Sequence, residues 1–316
     1  MELRVATFNL ENLDWAASHQ ADFARRRAIL LPLLEALRAD VLCLQEIGAQ
    51  KAHKHAPREY LALDRLLAGT PYAGFARATS VRPGGDAPAD VHNLAILSRW
   101  PIREARQIHH ELVPRWSWPP PRDGDTQPKP ILIEWDRPLL YAAIELPSGA
   151  LLHALNLHLR APRPAPVPTA RGEGSSKSQI EGQFVAAQKR EGQALEARLF
   201  IETLFDSEPD ARIAVCGDFN ADEHDAPTRL LRGGDNELQQ GPRALAPLEE
   251  RVEAARRYTV LHAGRQKLID HILASPALSS TWRESEILNG GLPDEVYAQE
   301  PILGSLHAPV AAAFEI

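Results

Sequence analysis

Cysteine is nearly absent: the 316 residues hold two, Cys43 and Cys216. Each sits in an apolar run, "VLCLQ" and "IAVCG", so both read as buried free thiols, with a disulfide as the alternative. No stretch approaches the ~20 apolar residues that a membrane-spanning helix needs. The opening "MELRVATFNL" lacks a basic segment followed by a long apolar one, so no secretory signal and a cytoplasmic location are expected. An excess of positive charge is also missing. Lysine and arginine number 35 against 42 acidic residues, a formal net charge of −7. A protein whose main partner is duplex nucleic acid usually carries a basic face, so this balance argues against one while leaving room for a local basic cleft.

What is present is ordinary globular material, 44% hydrophobic and 24% charged. That is enough for a sizeable core in one α/β domain spanning 1–316. The patterns predict strands over 3–10, 41–47, 72–78, 93–99, 139–147, 151–159, 212–219, 267–275 and 307–316. They predict helices over 23–40, with Pro32 a candidate kink, over 59–68 and over 178–205. The Pro-, Gly- and Ser-rich stretches 113–130 and 160–178 predict irregular loops.

The apolar strands end in polar residues of one kind. "VATFN" closes on Asn9, "VLCLQE" on Gln45 and Glu46, "LLHALNLH" on Asn156 and His158, and "IAVCGDFN" on Asp218 and Asn220. "KLIDH" contributes Asp270 and His271, and His307 opens the last apolar run. One strand ending in Asp is commonplace as a loop or helix cap. A set of metal ligands, acid–base groups and amide donors at strand ends, where α/β folds make clefts, points to a reaction site. Carboxylates without cysteine favour a hard cation, Mg²⁺ or Mn²⁺, over structural zinc. Such a set suits phosphoester hydrolysis: the cation neutralises phosphate, a carboxylate activates water, and Asn and His donors meet the charge that develops on oxygen.

In order along the chain, "TFNLEN", "LCLQE", "HNLAILSRWPI", "LNLHL", "VCGDFNAD", "LIDHIL" and "SLHAPV" resemble the signatures of the endonuclease/exonuclease/phosphatase, or DNase-I-like, superfamily. The resemblance spans residues 3–314. It implies a four-layer α/β sandwich, two mixed sheets face to face with helices outside and the active site at one edge. It implies that Asn9 and Glu46 bind the metal and that His158 hydrogen-bonds the scissile phosphate. Asp218 and Asn220 are implied to position the attacking water and donate to the transition state. Asp270 and His307 are implied to form an Asp–His dyad. Asn93 matches a position near the substrate phosphates. Arg137, the other candidate substrate contact, either faces the cleft or pairs with Asp136. One position departs from the pattern: family members typically read Ser-Asp-His where this chain has Ser305, Leu306 and His307, so a carboxylate beside the metal is missing.

The expectation is a divalent-metal-dependent phosphodiesterase or nuclease, its partner a phosphoester, nucleic acid included. The alternatives are a catalytically weakened member acting as a binding module and a phosphatase of small molecules or lipids. Lys177, Lys189 and Arg190, on or beside the long helix, read as a solvated face rather than a basic rim. His92, His109 and His110 read as loop or strand surface. Trp116 and Trp118 read as packing for the Pro-rich loop, with a stacking platform or lipid-facing role as alternatives.

Overall fold

Twelve strands assemble into two six-stranded sheets in the computed structural model, which describes residues 1–119, 129–167, 176–233, 241–298 and 303–316. In chain order they are β1 (Glu2–Leu13), β2 (Val41–Ile47), β3 (Ala76–Thr79), β4 (Asn93–Ser98), β5 (Ile102–Ile108) and β6 (Leu139–Glu145). Then follow β7 (Leu151–His158), β8 (Arg212–Asp218), β9 (Ala246–Pro247), β10 (Asp270–Ala274), β11 (Trp282–Ile287) and β12 (Val310–Glu315). The first sheet runs β11-β12-β1-β2-β4-β3 and the second β9-β10-β8-β7-β6-β5. Each mixes parallel and antiparallel pairs: β1 with β2 and β7 with β8 are parallel, the other ladders antiparallel. Parts of both predicted loops, 120–128 and 168–175, lie outside the described residues.

The period of two along each strand decides the layers. In β1, Leu3 and Val5 enter the core between the sheets, while Ala6, Phe8 and Leu10 face the other way. There they pack under α1 (Gln20–Leu37) and α2 (Leu61–Leu67). In β8, Ala214 and Cys216 point between the sheets; Ile213 and Val215 point to α3 (Ser176–Ser207). The result is the four-layer α/β sandwich, helices outside both sheets. Both cysteines are free and buried in the inter-sheet core. The neighbouring Cys43 thiol, with burial, pushes the Cys216 thiol well up.

Helix α1 runs through Pro32 and stops at Arg38, whose left-handed φ of 45° lets its N–H reach Glu35 O at 3.2 Å. A strand expected over 72–78 begins instead at Ala76, after a 3₁₀ turn at Pro71–Gly74. Within the stretch expected to be irregular, Trp116–Trp118 pairs with Ile131–Ile133 as a two-stranded ribbon. Trp116 and Trp118 pack against a small cluster containing Val113, Ile133, Trp135 and Val185, and Trp118 meets Phe184 of α3 at 5.1 Å between ring centres. No helix among the described residues is long and apolar enough to cross a membrane.

Candidate active site

The same alternation that builds the inter-sheet core builds the cleft. The inward positions of β1 read Leu3, Val5, Thr7, Asn9; those of β7 read Leu152, Ala154, Asn156, His158; those of β8 read Ala214, Cys216, Asp218. Each turns from apolar to polar at the end nearest the cleft. Strand register brings these ends side by side: Asn9 opposite Gln45, His158 opposite Asp218, and Asp218 opposite Asp270. Behind them a polar clasp crosses the sandwich. Gln45 Nε2 donates to Thr7 Oγ1 at 3.0 Å and to Asn156 Oδ1 at 2.7 Å, and Asn156 Nδ2 donates to Leu44 O and Ala95 O. Each strand end is thereby fixed against its opposite number, as an aligned site requires.

Two backbone features set the carboxylates. Gly217 adopts φ +142°, and a Cβ there would lie 1.9 Å from Leu157 O, so only glycine lets β8 close on β7 beside Asp218. Glu46 falls on the helix-facing side of β2 by parity; its φ of 58° swings the side chain into the cleft. Glu11, Asn12, His92 and Asn220 share this left-handed backbone around the same cleft. Arg26 of α1 braces the first two, donating to Leu10 O at 2.6 Å, Asn12 O at 3.2 Å and Glu11 O.

Asn9 Nδ2 bridges Glu46 Oε1 at 3.2 Å and Asp218 Oδ2 at 2.9 Å. Glu46 Oε2 accepts from Asn12 N at 2.9 Å. His158 Nε2 faces Glu46 Oε1 at 3.6 Å and Asp218 Oδ2 at 3.5 Å. His307 Nδ1 meets Asp270 Oδ2 at 2.8 Å, and its Nε2 lies 4.0 Å from Asp218 Oδ2. Asn220 donates its backbone N–H to Asp218 Oδ1 at 2.8 Å and its amide to Leu159 O at 3.1 Å. The structure thus gathers seven of the expected residues into one cluster: Asn9, Glu46, His158, Asp218, Asn220, Asp270 and His307.

Arg137 joins them through an unexpected partner. Its Nη1 touches His158 Nδ1, while Asp136 is taken by Arg160 and Lys189. A guanidinium only donates, so His158 Nδ1 accepts and its N–H sits on Nε2, facing the carboxylates. Asn93 is nearly fully buried and satisfied by backbone: its Nδ2 donates to Ile47 O and Ala89 O, and its Oδ1 accepts from Ala89 N. It pins the loop that carries His92.

Electrostatics divides the two histidines. Burial, then the Arg137 charge, holds His158 well below the usual imidazole range, so it is neutral at pH 7. Burial also opposes charge on His307, but Asp270 and Asp218 outweigh it and hold that imidazole up at about 10. Asp218 is pushed up to about 7 by burial, against the pull of His307, with Asp270 and Glu46 adding to the rise.

The donor set fits a hard divalent cation. Ligand atoms of Glu46, His158 and Asp218 lie within 4.8 Å of one another, as do those of Asp218, Asp270 and His307. The donors are oxygen and nitrogen, with both thiols away in the inter-sheet core. Burial, with Asp270 and Glu46 adding to it, pushes Asp218 up to about 7, a cost that a cation beside the carboxylate would relieve, and Asp270 Oδ1 is buried without a hydrogen-bond partner. At the departing position, Leu306 is half-buried and its N–H donates to Glu11 Oε2 at 2.6 Å. Ser305 Oγ donates to Asn9 O and accepts from His307 N, tying the segment to β1.

The model of the Endonuclease/Exonuclease/phosphatase family matches residues 6–298. The chain belongs to this family. A family protein of Bacteroides thetaiotaomicron is similar in structure, with 18% identity, TM-score 0.60, and coverage of 100% of this chain and 96% of that one. So is the mannosyl-6-phosphatase of the same organism, at 16% identity, TM-score 0.60 and 98% coverage of both. An AP endonuclease from Archaeoglobus fulgidus aligns at 16% identity and TM-score 0.54, covering 99% of this chain and 100% of that one. At these identities the likeness shows the endonuclease/exonuclease/phosphatase fold. A search of curated protein sequences gives no match.

Some side chains stand elsewhere than their sequence context indicates. His92, read as surface, lies 3.8 Å from Glu46 Oε2 and 6.2 Å from the His158 ring; its place beside Asn93 was the available signal. His110 stacks on Trp135 at 4.1 Å between ring centres and exchanges hydrogen bonds with its neighbours, a structural role. Lys189 is no solvated cation: its Nζ bonds Asp136 at 2.8 Å. Arg190 reaches Arg160 O at 3.2 Å.

Proposed function

We propose that the chain is a divalent-metal-dependent phosphoester hydrolase in which water attacks phosphorus in line, with a phosphodiester as the favoured substrate. The observation that carries this reading is Asp218 set between a neutral histidine, His158, and a charged one, His307, with Glu46 and Asn9 at its side. Glu46, with Asp218 beside it, would hold a cation such as Mg²⁺ or Mn²⁺, which would supply neutralisation of phosphate charge. Asn9 orients the two carboxylates by donating to both. Asp218 is a carboxylate poised near neutral pH to accept a proton from water. His307, kept as an imidazolium by Asp270, donates to an oxygen on which charge develops. Neutral His158 presents Nε2–H as a second donor, its ring fixed by Arg137. Asn220 holds the Asp218 carboxylate through its backbone N–H.

The test is a hydrolysis panel with Mg²⁺ or Mn²⁺: bis-p-nitrophenyl phosphate, p-nitrophenyl phosphate, plasmid, single-stranded DNA, RNA, inositol phosphates and sphingomyelin. Hydrolysis of at least one is expected, with Asp218→Asn lowering turnover by ~10²–10⁴-fold at little change in melting temperature. Wild-type turnover in that variant on every hydrolysed substrate refutes the role of Asp218; no turnover of any refutes the hydrolase reading.

A further inference from the structure

Beside the carboxylate cluster opens a cavity of about 380 Å³, lined by His92, Asn93, Asp136, Arg137, Pro138 and Arg160 among others. Two of these side chains belong to both spaces: Arg137 touches His158, and His92 approaches Glu46. Its charges do not balance. Asp136 is shared by Arg160 at 3.1 Å and Lys189 at 2.8 Å. Arg137 forms no ion pair with a carboxylate among the described residues. Around Asp136, three cations, Arg137, Arg160 and Lys189, therefore stand against one carboxylate. Asp90, also in the lining, is likewise shared, by Arg58 at 2.6 Å and Arg82 at 3.1 Å. Arg160 Nε and His92 Nδ1 are buried with no hydrogen-bond partner. What negative charge Arg137 does feel comes from Glu46, Asp136 and Asp218. A cation at Glu46 and Asp218 would take over much of that balance and leave the guanidinium as surplus positive charge at the cavity.

We infer that this cavity is a subsite for a second phosphate of the substrate, bound by Arg160 and Arg137 next to the phosphorus that reacts. Guanidinium groups match phosphate oxygens in paired hydrogen bonds, and such charge-assisted contacts are the strong ones. Asp136 sets the strength: it holds Arg160 and Lys189 in place and cancels one of their charges. The inference rests on the hydrolase reading, but its binding part is testable apart from turnover. The second phosphate has two sources, the neighbouring phosphate of a nucleic acid strand or the second phosphate of a small bisphosphate.

The experiment uses the metal-loaded protein. Calorimetry compares thymidine 3′,5′-bisphosphate with thymidine 5′-monophosphate, and kinetics compare pTpT with TpT and glucose 1,6-bisphosphate with glucose 6-phosphate. The bisphosphate should bind ~10-fold or more tightly than the monophosphate. The pair in which kcat/KM rises through a lower KM identifies the source. Arg160→Gln should collapse the preference towards unity, and Asp136→Asn, which frees a positive charge, should widen it. A protein merely loosened by substitution would not move the preference in opposite directions in the two variants. Equal binding of the two thymidine phosphates by the wild type overturns the subsite, as does a preference that neither variant changes. A binding preference with no hydrolysis of these pairs or of any substrate of the panel overturns the hydrolase reading and leaves the subsite standing.

Discussion

Replacing Asp270 by Asn tests the charge on His307 most directly. The two groups meet at 2.8 Å, Nδ1 to Oδ2, with Asp218 Oδ2 a further 4.0 Å contact on Nε2. A unit charge at about 4 Å in an effective dielectric near 20 is worth ~4 kcal/mol, or about three pKa units. From about 10 in the wild type, the imidazole should therefore fall to near 7 or below, because burial still opposes its charge. The amide keeps the shape and a hydrogen-bonding oxygen, so the change is electrostatic first. Linkage gives a second consequence. A histidine raised from 6.5 to about 10 stabilises the fold fully below pH 6.5 and loses that contribution as pH climbs to about 10. In Asp270→Asn the decline of stability between pH 6.5 and 10 should flatten. The assay is an NMR titration of ring Cε1–H signals in metal-free protein, the His307 signal assigned among the 12 histidines by its loss in His307→Gln. A wild-type His307 that titrates near 6.5, or an unchanged value in Asp270→Asn, refutes the reasoning.

Glu46→Gln removes one of the charges facing the candidate metal position, so Mg²⁺ affinity should fall ~10-fold or more by calorimetry while the fold is kept; superimposable titrations place the ligand elsewhere. Leu306→Asp sets a carboxylate beside Glu11, itself raised by burial. It should tighten Mg²⁺ binding and lower the melting temperature of the metal-free protein; no gain in affinity refutes a missing ligand at 306. Glu249 is fully buried, its Oε2 without a hydrogen-bond partner and 4.0 Å from His271 Nδ1, and burial pushes it up to about 8. An acid raised in the fold costs stability as pH rises from about 4.5 to 8, so Glu249→Gln should flatten that fall and be more stable at pH 8 by up to a few kcal/mol; a parallel pair of melting-temperature curves refutes it.

Buried strands were legible because their chemistry is one-sided: β2, β4, β7, β8 and β12 are apolar along almost their whole length, as strands covered on both faces must be. The edges were not. β5 and β11 carry "IREARQI" and "WRESEI", exposed on much of their length, and β3 was misplaced by several residues. All lie at sheet edges, where solvent replaces one neighbour and the hydrophobic signal fades. The cleft was legible through strand parity plus resemblance, since alternate residues of β1, β7 and β8 must share a face. Glu46 breaks that parity, and only its positive φ explains how it arrives. Partners across long loops were beyond pattern reading. Neither Arg137 on His158 nor Lys189 on Asp136 follows from spacing, because each joins segments 21 and 53 residues apart.

The two sheets differ in how the chain makes them. The second is drawn from one continuous stretch, 102–274, whereas the first needs 2–98 at one end and 282–315 at the other. β12 lies between β11 and β1, so an emerging chain holds β1 with one flank open until residues 310–315 arrive. His307 comes just ahead of them, long after Asn9 and Glu46. Synthesis therefore adds His307 to the cluster only after every strand but β12 is made, and a chain cut after the second sheet would carry Asp218 and Asp270 but not the imidazole between them.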